Sequence, residues 1–271
     1  MPLADIADAV WYGDTSAARL SRELLSPLSA VFNAIAARRN ARYDAASITP
    51  SPIPAVSIGN LTVGGTGKTP VSAWLAAQLQ ARGATPAIIM RGYGTDEVLV
   101  HALLNPGVRV FAGADRVAQV RAAATTGADC AILDDGFQHR RAARVADVVL
   151  VSADGWRDDT RLLPAGPFRE PLAAIRRAHA AVITVKAASR ESIAALAKAI
   201  AAVAPDVPIA VIRLEPGTLA LAVTLPGDDQ ATHRLSVPAS LTHPPSWLRG
   251  RRVCVVSAIG NPGAFEQQLL A

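Results

Sequence analysis

Apolar positions recur along the chain with two different spacings, and these spacings predict where helices and strands form. In residues 1–46 the apolar side chains lie three or four positions apart, which is typical of an amphipathic helix. They are Leu20, Leu24, Leu28, Val31, Phe32 and Ile35. The pair Ser26-Pro27 interrupts this stretch. Because Ser is a good N-cap and Pro suits the first helical position, we predict two short helices that meet there.

The polar side of this N-terminal stretch is basic: it carries Arg19, Arg22, Arg38, Arg39 and Arg42. An interfacial membrane helix needs such a pattern, because acyl chains contact the apolar stripe while lipid phosphates contact the rim. A helix packed on the core of its own domain has the same pattern. The spacing by itself favours this second interpretation.

After Pro50, Pro52 and Pro54, short apolar runs alternate with helical patterns, as in a doubly wound sheet. Strands are predicted at 55–58, 87–91, 108–111, 130–134, 148–152, 181–185, 209–214 and 253–257. Helices are predicted at 68–82, 115–126 and 191–202. We therefore expect an α/β fold of the P-loop NTPase kind with N-terminal amphipathic helices and a second, smaller α/β domain.

The expected domain limits are 1–46 for the helices, 47–180 for the P-loop catalytic domain and 181–271 for the smaller domain. The stretch 215–250 reads as irregular or antiparallel. Near the C-terminus, a predicted strand and loop lead into a new helix whose first turn suits Pro262. Domains rarely end at such a point, so the smaller domain is expected to be incomplete.

Composition narrows the class of protein without identifying it. Of 271 residues, 51% are hydrophobic, which is ample for a buried core. Cys130 and Cys254 lie in apolar runs without metal-ligand spacing, which favours a reducing cytosol. A net charge of +5 favours anionic partners, although it does not choose among nucleotides, nucleic acid and acidic lipids. The sequence has no apolar run of 18 residues, and its N-terminus lacks the basic-then-apolar order typical of a secretory signal.

The strongest chemical signal is the loop Gly64-Gly65-Thr66-Gly67-Lys68-Thr69, which lies between a predicted strand and a predicted helix. Glycine allows several backbone N–H groups to converge on a phosphate, Lys68 adds a positive charge, and the Thr69 hydroxyl can ligate Mg²⁺. The common pattern would have Gly at position 62, where this chain has Thr62. The loop is a variant P-loop and predicts binding of a nucleoside triphosphate.

A second polar cluster, Asp134-Asp135-Gly136-Phe137-Gln138-His139, follows the apolar strand predicted at 130–134. Ligands of open α/β sheets collect at the carboxyl ends of strands, and P-loop proteins hold Mg²⁺ there with an acidic residue. A polar turn with a helix cap is the alternative.

A third segment, residues 91–97, also follows a strand and contains the acidic pair Asp96-Glu97. An Asp at this place has the chemistry to take the proton from an attacking hydroxyl, although solvated loop carboxylates are the simpler interpretation. Arg116, Arg169 and Glu170 are either phosphate or sugar contacts or members of surface ion pairs. The histidines His101, His179, His233 and His243 are expected to be structural or solvated.

Taken together, these segments resemble the tetraacyldisaccharide 4′-kinases, the lipid A 4′-kinases of Gram-negative bacteria. The resemblance rests on residues 56–70, 91–94, 113–116, 134–139 and 162–170 together with Asp96-Glu97. It implies transfer of the γ-phosphate of ATP, with Mg²⁺, to the 4′-hydroxyl of an acylated glucosamine disaccharide 1-phosphate.

The resemblance also implies residue roles. Asp96 resembles the general base, with Lys68, Asp135 and His139 as the other catalytic residues. Nucleotide contacts fall on residues 64–69 and Gln138, metal contacts on Thr69, Asp134 and Asp135, and substrate contacts on Tyr93, Glu97, Arg116 and Glu170.

The family is peripheral to the cytoplasmic face of the inner membrane, so residues 15–42 are expected to dock on that surface after all. A monomer with no nucleic-acid partner is expected.

Two departures from the family pattern keep alternatives open. The segment between Gly94 and Asp96 is short, and an Asp-His-His segment whose His supports the catalytic Asp is not in the chain. A membrane-associated ATPase switch of the partitioning type is one alternative. A chain that binds nucleotide without completing the reaction is the other.

Overall fold

A computed structural model describes residues 3–46, 48–92, 95–220, 242–255, 259 and 262–270. Its centre is a parallel sheet of seven strands in the order β3-β2-β4-β1-β5-β6-β7. The strands are β1 (Ala55–Asn60), β2 (Pro86–Met90), β3 (Arg109–Ala112), β4 (Cys130–Asp134), β5 (Ala146–Ser152), β6 (Ala180–Val185) and β7 (Ile209–Arg213). The strand before the glycine-rich loop, β1, therefore lies at the middle of the sheet.

Seven α-helices surround or extend this sheet within the described residues. They are α1 (Leu3–Tyr12), α2 (Ser16–Ala45), α3 (Lys68–Gln80), α4 (Thr95–Leu104), α5 (Arg116–Thr125), α6 (Arg190–Val203) and α7 (Pro262–Leu270). One apolar cluster packs α3 on Ile58, Ile88 and Ile132, and another packs α5 on Ala87, Ile89 and Leu133. Because neighbouring residues of one strand enter different clusters, both faces of the sheet are covered. The predicted doubly wound α/β fold is confirmed.

The N-terminal helices differ from their prediction at the point of the break. The interruption between the two helices lies at Gly13-Asp14. Thr15 then caps α2 by accepting a hydrogen bond from the Ala18 N–H at 3.1 Å. The predicted break at Ser26-Pro27 is wrong, since Pro27 lies inside the 30-residue α2. Proline removes one intrahelical bond, but the turn that follows is fixed by the Ser29 hydroxyl, which donates to the Leu162 carbonyl at 2.8 Å.

Arg22 is also not on the basic rim where the sequence pattern placed it. Its side chain is buried, and its Nη1 donates to the carbonyls of Val10 at 2.6 Å and Gly13 at 2.8 Å. These carbonyls belong to the end of α1, where intrahelical donors are missing. The guanidinium thus joins α1 to α2 as a C-terminal cap.

The sheet continues through the expected domain boundary near residue 180. β6 pairs with β5 and β7 pairs with β6, so both strands extend the sheet that contains β1. The domain limits themselves stay a prediction. Further along, β8 (Leu219–Ala220) and β9 (Thr242–His243) form an antiparallel pair, as expected for this stretch. The strand predicted at 253–257 is wrong for residues 253–255, which form no strand, while residues 256 and 257 lie outside the described part. The helix predicted to begin near Pro262 is α7.

None of the helices in the described ranges is both long enough and apolar enough to cross a bilayer.

Close packing of β1 against the loop after β4 requires glycine at position 59. A Cβ atom placed on Gly59 would lie 2.5 Å from the Cβ and 2.8 Å from the backbone nitrogen of Phe137. The Phe137 side chain is itself buried in the core. Neither atom can move without shifting the loop that follows Asp135.

We expect Gly59→Ala to destabilise the protein by about 2 kcal/mol, because overpacking a rigid core forces backbone shifts. The change corresponds to a fall of about 5 °C in Tm in thermal unfolding followed by circular dichroism. Gly217→Ala is the matched control, since a Cβ atom there meets nothing within 4 Å. Equal Tm values for the two variants would contradict the close approach.

Candidate active site

The glycine-rich loop connects the end of β1 to the first turn of α3, as the sequence predicts. Gly67 is the N-cap of α3 with φ of 85°, a left-handed conformation that favours glycine. Because Gly67 has no side chain to cap the helix, the first N–H groups of α3 stay available to an anion. Lys68 and Thr69 lie in this first turn, both partly exposed. The arrangement is suited to binding phosphate.

Asn60, the last residue of β1, connects this loop to two other segments. Its Nδ2 donates to the Thr66 hydroxyl at 2.8 Å, while its backbone carbonyl accepts from the Gln138 amide at 2.8 Å. Its Oδ1 accepts a hydrogen bond from Arg169. The Asn60 side chain is fully buried, so these contacts form without competition from water.

Asp135 lies between two cations at the end of β4. Its Oδ1 is 3.7 Å from Lys68 Nζ, and its two oxygens accept from the Arg169 guanidinium at 2.9 and 3.2 Å. Among the described residues other than glycine, Asp135 alone has a positive φ, 54°. Non-glycine residues in this conformation are strained and cluster at functional sites. We call Asn60, Lys68, Asp134, Asp135 and Arg169 the phosphate site.

The charges of the phosphate site shift two pKa values. Burial raises the pKa of Asp135, but the Arg169 hydrogen bonds and the positive charges of Lys68, Arg169 and Arg116 outweigh it, so the pKa is lowered. Burial has the opposite effect on the cation Lys68: it lowers the pKa of this side chain, although the negative charge of Asp135 acts to raise it. Asp135 is therefore ionised at neutral pH.

Gln138 and His139 follow in a turn that Arg144 holds in place. Arg144 Nη1 donates to the carbonyls of Gly136 at 3.2 Å and His139 at 2.6 Å, and its Nε pairs with Asp147 at 2.9 Å. Burial, followed by the charges of Arg116 and Arg144, lowers the pKa of His139, so its imidazole is neutral at pH 7. His139 Nε2 is buried with no hydrogen-bond partner in the described ranges.

Arg116 and Glu170, two predicted substrate contacts, are both buried. Arg116 begins α5, and its charge acts on Asp135 and His139. Glu170 Oε2 accepts from Arg177 and from Asn40, each at 2.9 Å, which connects the segment after Phe168 to α2. Glu170 Oε1 has no partner within the described part of the chain. A substrate role for either residue stays a prediction.

The segment predicted to supply the base is partly outside the description. Tyr93 and Gly94 lie outside the described residues, and for Asp96 only the backbone is described, in the first turn of α4. Glu97, in the same turn, has a negative charge that acts on Lys68. The sequence pattern indicated a loop here, whereas residues Thr95–Leu104 form α4.

Three residues at the nucleotide end of the sheet were not assigned to the site from sequence: Asn60, His101 and Lys186. Arg169, left open between a phosphate contact and a surface ion pair, pairs with Asp135 of the phosphate site. His101, expected to be structural or solvated, is buried, and its Nε2 lies 2.8 Å from Asp134 Oδ2. Lys186, at the end of β6, donates to the Gly65 carbonyl at 2.7 Å. A polar residue that closes a buried strand was an available signal for Asn60. Lys186 was missed because its strand was assigned to another domain.

Comparisons with known proteins agree on one family. The family model "Tetraacyldisaccharide-1-P 4'-kinase" matches residues 21–271. The chain is 35% identical to the tetraacyldisaccharide 4'-kinase of Anaeromyxobacter sp. (strain Fw109-5), over 97% of this chain and 74% of that protein. Its identity to the Pseudomonas putida tetraacyldisaccharide 4'-kinase is 32%, over 100% and 77%. The crystal structure of "apo" form LpxK from Aquifex aeolicus, in complex with ATP, matches with a TM-score of 0.67 and 28% identity, covering 92% of this chain and 78% of that one.

We expect Asn60→Ala to weaken nucleotide binding about tenfold, because the buried side-chain hydrogen bonds of Asn60 shape the loop. Their loss is expected to cost about 1.4 kcal/mol of binding free energy. Titration with a fluorescent ATP analogue measures the affinity. Asn33→Ala, at an exposed position of α2, is the control and keeps the original affinity. A folded Asn60→Ala protein with unchanged nucleotide affinity would show that the hydrogen bonds of Asn60 do not shape the loop.

Proposed function

The chain belongs to the tetraacyldisaccharide 4′-kinase family, and we propose that it transfers the γ-phosphate of ATP to the 4′-hydroxyl of an acylated glucosamine disaccharide 1-phosphate in lipid A biosynthesis. As a member of this family it is a phosphotransferase with an alcohol group as acceptor. The observation that carries the proposal is the phosphate site, where Lys68 and Arg169 converge on Asp135 at the carboxyl ends of β1 and β4. A partitioning-type ATPase switch has no acceptor hydroxyl to activate. It therefore does not explain why the first turn of α4 places the negative charge of Glu97 within reach of Lys68.

ATP is proposed as the donor because the A. aeolicus LpxK structure contains it and because the loop of this chain suits a triphosphate. The N–H groups at the start of α3 and the Lys68 ammonium would contact the terminal phosphates. Lys186 Nζ donates to the Gly65 carbonyl at 2.7 Å, so this acceptor of the loop already has a donor. The loop therefore offers donors rather than acceptors to the phosphates.

Mg²⁺ is proposed as the metal, and the donor set fits it. The described residues contain no cluster of three or more His, Cys, Asp or Glu that could hold a metal. Mg²⁺ is commonly held by one or two carboxylates, substrate phosphates and water. The Thr69 hydroxyl and the Asp134 carboxylate would supply the protein oxygens, whereas both oxygens of Asp135 contact Arg169. Bound Mg²⁺ supplies charge neutralisation of the phosphates.

Positioning and charge are the main contributions that the chain's own residues make to transfer. The phosphoryl group carries negative charge on its peripheral oxygens during transfer, and the Lys68 and Arg169 cations would stabilise this charge. Asp135 keeps these cations together before the nucleotide arrives. Asp96, in the first turn of α4, is the proposed base for the acceptor hydroxyl, with Glu97 beside it.

Asp96→Asn is expected to lower phosphoryl transfer by at least 100-fold while leaving ATP affinity within about twofold, because the amide cannot accept the proton. Transfer is measured with γ-labelled ATP and tetraacyldisaccharide 1-phosphate in detergent micelles. Asp115→Asn, which alters an exposed helix cap, is the control. Full turnover by Asp96→Asn would end the assignment of the base.

Docking on the inner-membrane surface through residues 15–42 is proposed from an exposed stripe on α2. Leu20, Leu24, Leu28, Val31 and Ile35 are between 56% and 71% exposed and lie on one side of the helix. Arg38 and Arg42, both exposed, continue the same spacing toward the C-terminal end. An interfacial helix combines acyl contact by its apolar stripe with phosphate contact by its basic residues. The opposite side of α2 contacts Glu170 through Asn40, so docking through the exposed stripe would bring the bilayer close to the segment that carries Arg169.

Leu24→Ser combined with Leu28→Ser is expected to reduce binding to phosphatidylglycerol vesicles at least tenfold in a sedimentation assay, since two large apolar side chains no longer enter the lipid. Arg38→Gln with Arg42→Gln should lower binding mainly at low salt. Val145→Ser, at an exposed apolar position elsewhere, is the control. Vesicle binding equal to the original protein in the double Leu variant would refute docking through α2.

A further inference from the structure

The pattern of burial on α4 is inverted. Of the α4 side chains that the structure describes, the polar His101 is the buried one, 0% exposed, and Val98 is partly buried. Just past the last turn, the polar Asn105 is 6% exposed. The outward residues of α4, Leu99, Leu103 and Leu104, are apolar and more than half exposed. His101 and Asn105 are four positions apart, so they lie on one face. A helix that buries polar groups and exposes apolar ones is not held in place by the hydrophobic effect alone.

Two hydrogen bonds from this buried face connect α4 to the nucleotide end of the sheet. His101 Nε2 lies 2.8 Å from Asp134 Oδ2 at the end of β4. Asn105 Nδ2 donates to the Ala73 carbonyl in α3 at 2.9 Å. α3 is the helix that begins with Lys68. Both elements that present groups to the phosphates are therefore bonded to the helix whose first turn contains Asp96 and Glu97.

The chemistry of the His101 contact constrains both partners. Facing a carboxylate, the imidazole donates through Nε2–H, which leaves Asp134 Oδ1 as the oxygen available to another ligand. A buried hydrogen bond has a direction, whereas apolar contacts tolerate sliding and rotation, so this bond defines the register of α4 against β4. Residues that hydrogen-bond a metal-binding carboxylate commonly orient it.

We propose that His101 is a positioning residue for phosphoryl transfer. Its hydrogen bond orients the Asp134 carboxylate and holds the first turn of α4, with Asp96, at a constant distance from the phosphate site. The proposal rests on the proposed function, and it deepens that function by connecting the acceptor side of the site to its nucleotide side. Asn105 supports the same placement from α3.

The test compares His101→Leu, which removes the donor, with His101→Gln, whose amide can still donate to Asp134. The control is His179→Leu: His179 accepts a hydrogen bond from the Asp147 N–H at 3.1 Å, at the opposite end of the strands. All three are measured for Mn²⁺ affinity by electron paramagnetic resonance in the presence of a non-hydrolysable ATP analogue. Nucleotide affinity in EDTA, Tm and the kcat and KM of transfer complete the set.

For His101→Leu we expect Mn²⁺ affinity to fall about tenfold and kcat to fall at least tenfold, with nucleotide affinity in EDTA and KM for the acceptor little changed. His101→Gln should recover most of both losses. His179→Leu should lower Tm without altering Mn²⁺ affinity or kcat.

Original Mn²⁺ affinity and kcat in His101→Leu would overturn the proposal, as would a His101→Gln variant no better than His101→Leu. If the unaltered chain transfers no phosphate to the acceptor, the proposed function fails, but the Mn²⁺ measurement still decides whether His101 orients Asp134. The two failures are thereby distinguished.

Discussion

The contact of Asp135 with Lys68 and Arg169 is the interaction on which the rest of the site depends. Two cations held close together repel each other, and a single carboxylate between them compensates that repulsion. The left-handed backbone at Asp135 directs its carboxylate between the two cations. The close contact of Gly59 with Phe137 constrains the loop that follows β4. Packing in the core thus determines the position of charge at the surface.

Segments distant in sequence are connected around this contact by backbone hydrogen bonds. The Arg169 N–H donates to the Leu61 carbonyl at 2.6 Å, and the Val63 N–H donates to the Pro167 carbonyl at 2.8 Å. The segment that carries Arg169 is therefore paired with the start of the glycine-rich loop. Through Ser29 and Asn40 the same segment is bonded to α2. The proposed membrane helix and the phosphate site belong to one hydrogen-bonded unit.

The acceptor side of the site is built differently, because α4 carries polar groups on its inner face. Apolar burial supplies most of the stability of α3 and α5, but it says little about rotation about a helix axis. For α4 the bonds of His101 and Asn105 supply direction instead. Precision at the first turn of α4 matters because a base must lie within hydrogen-bond reach of its proton.

Local patterns in the sequence determined the strands, the glycine-rich loop and the acidic turn after β4. These features depend on neighbours along the chain: buried parallel strands are continuous apolar runs, and a phosphate loop needs glycines at adjacent positions. For the same reason the strand limits predicted between residues 55 and 214 agree with the structure within about two residues.

Only the tertiary structure decided which distant residues meet. Arg169 reaches Asn60 across 109 positions, and His101 reaches Asp134 across 33. The sheet also continues into β6, which brings Lys186 to the loop across 121 positions. The break before α2 and the burial of Arg22 depend in the same way on α1 packing beside it. Helix α4 was missed because its inner face is polar, and a search for apolar periodicity finds helices through their buried apolar stripe. Its placement depends on hydrogen-bond partners that no local pattern of the sequence contains.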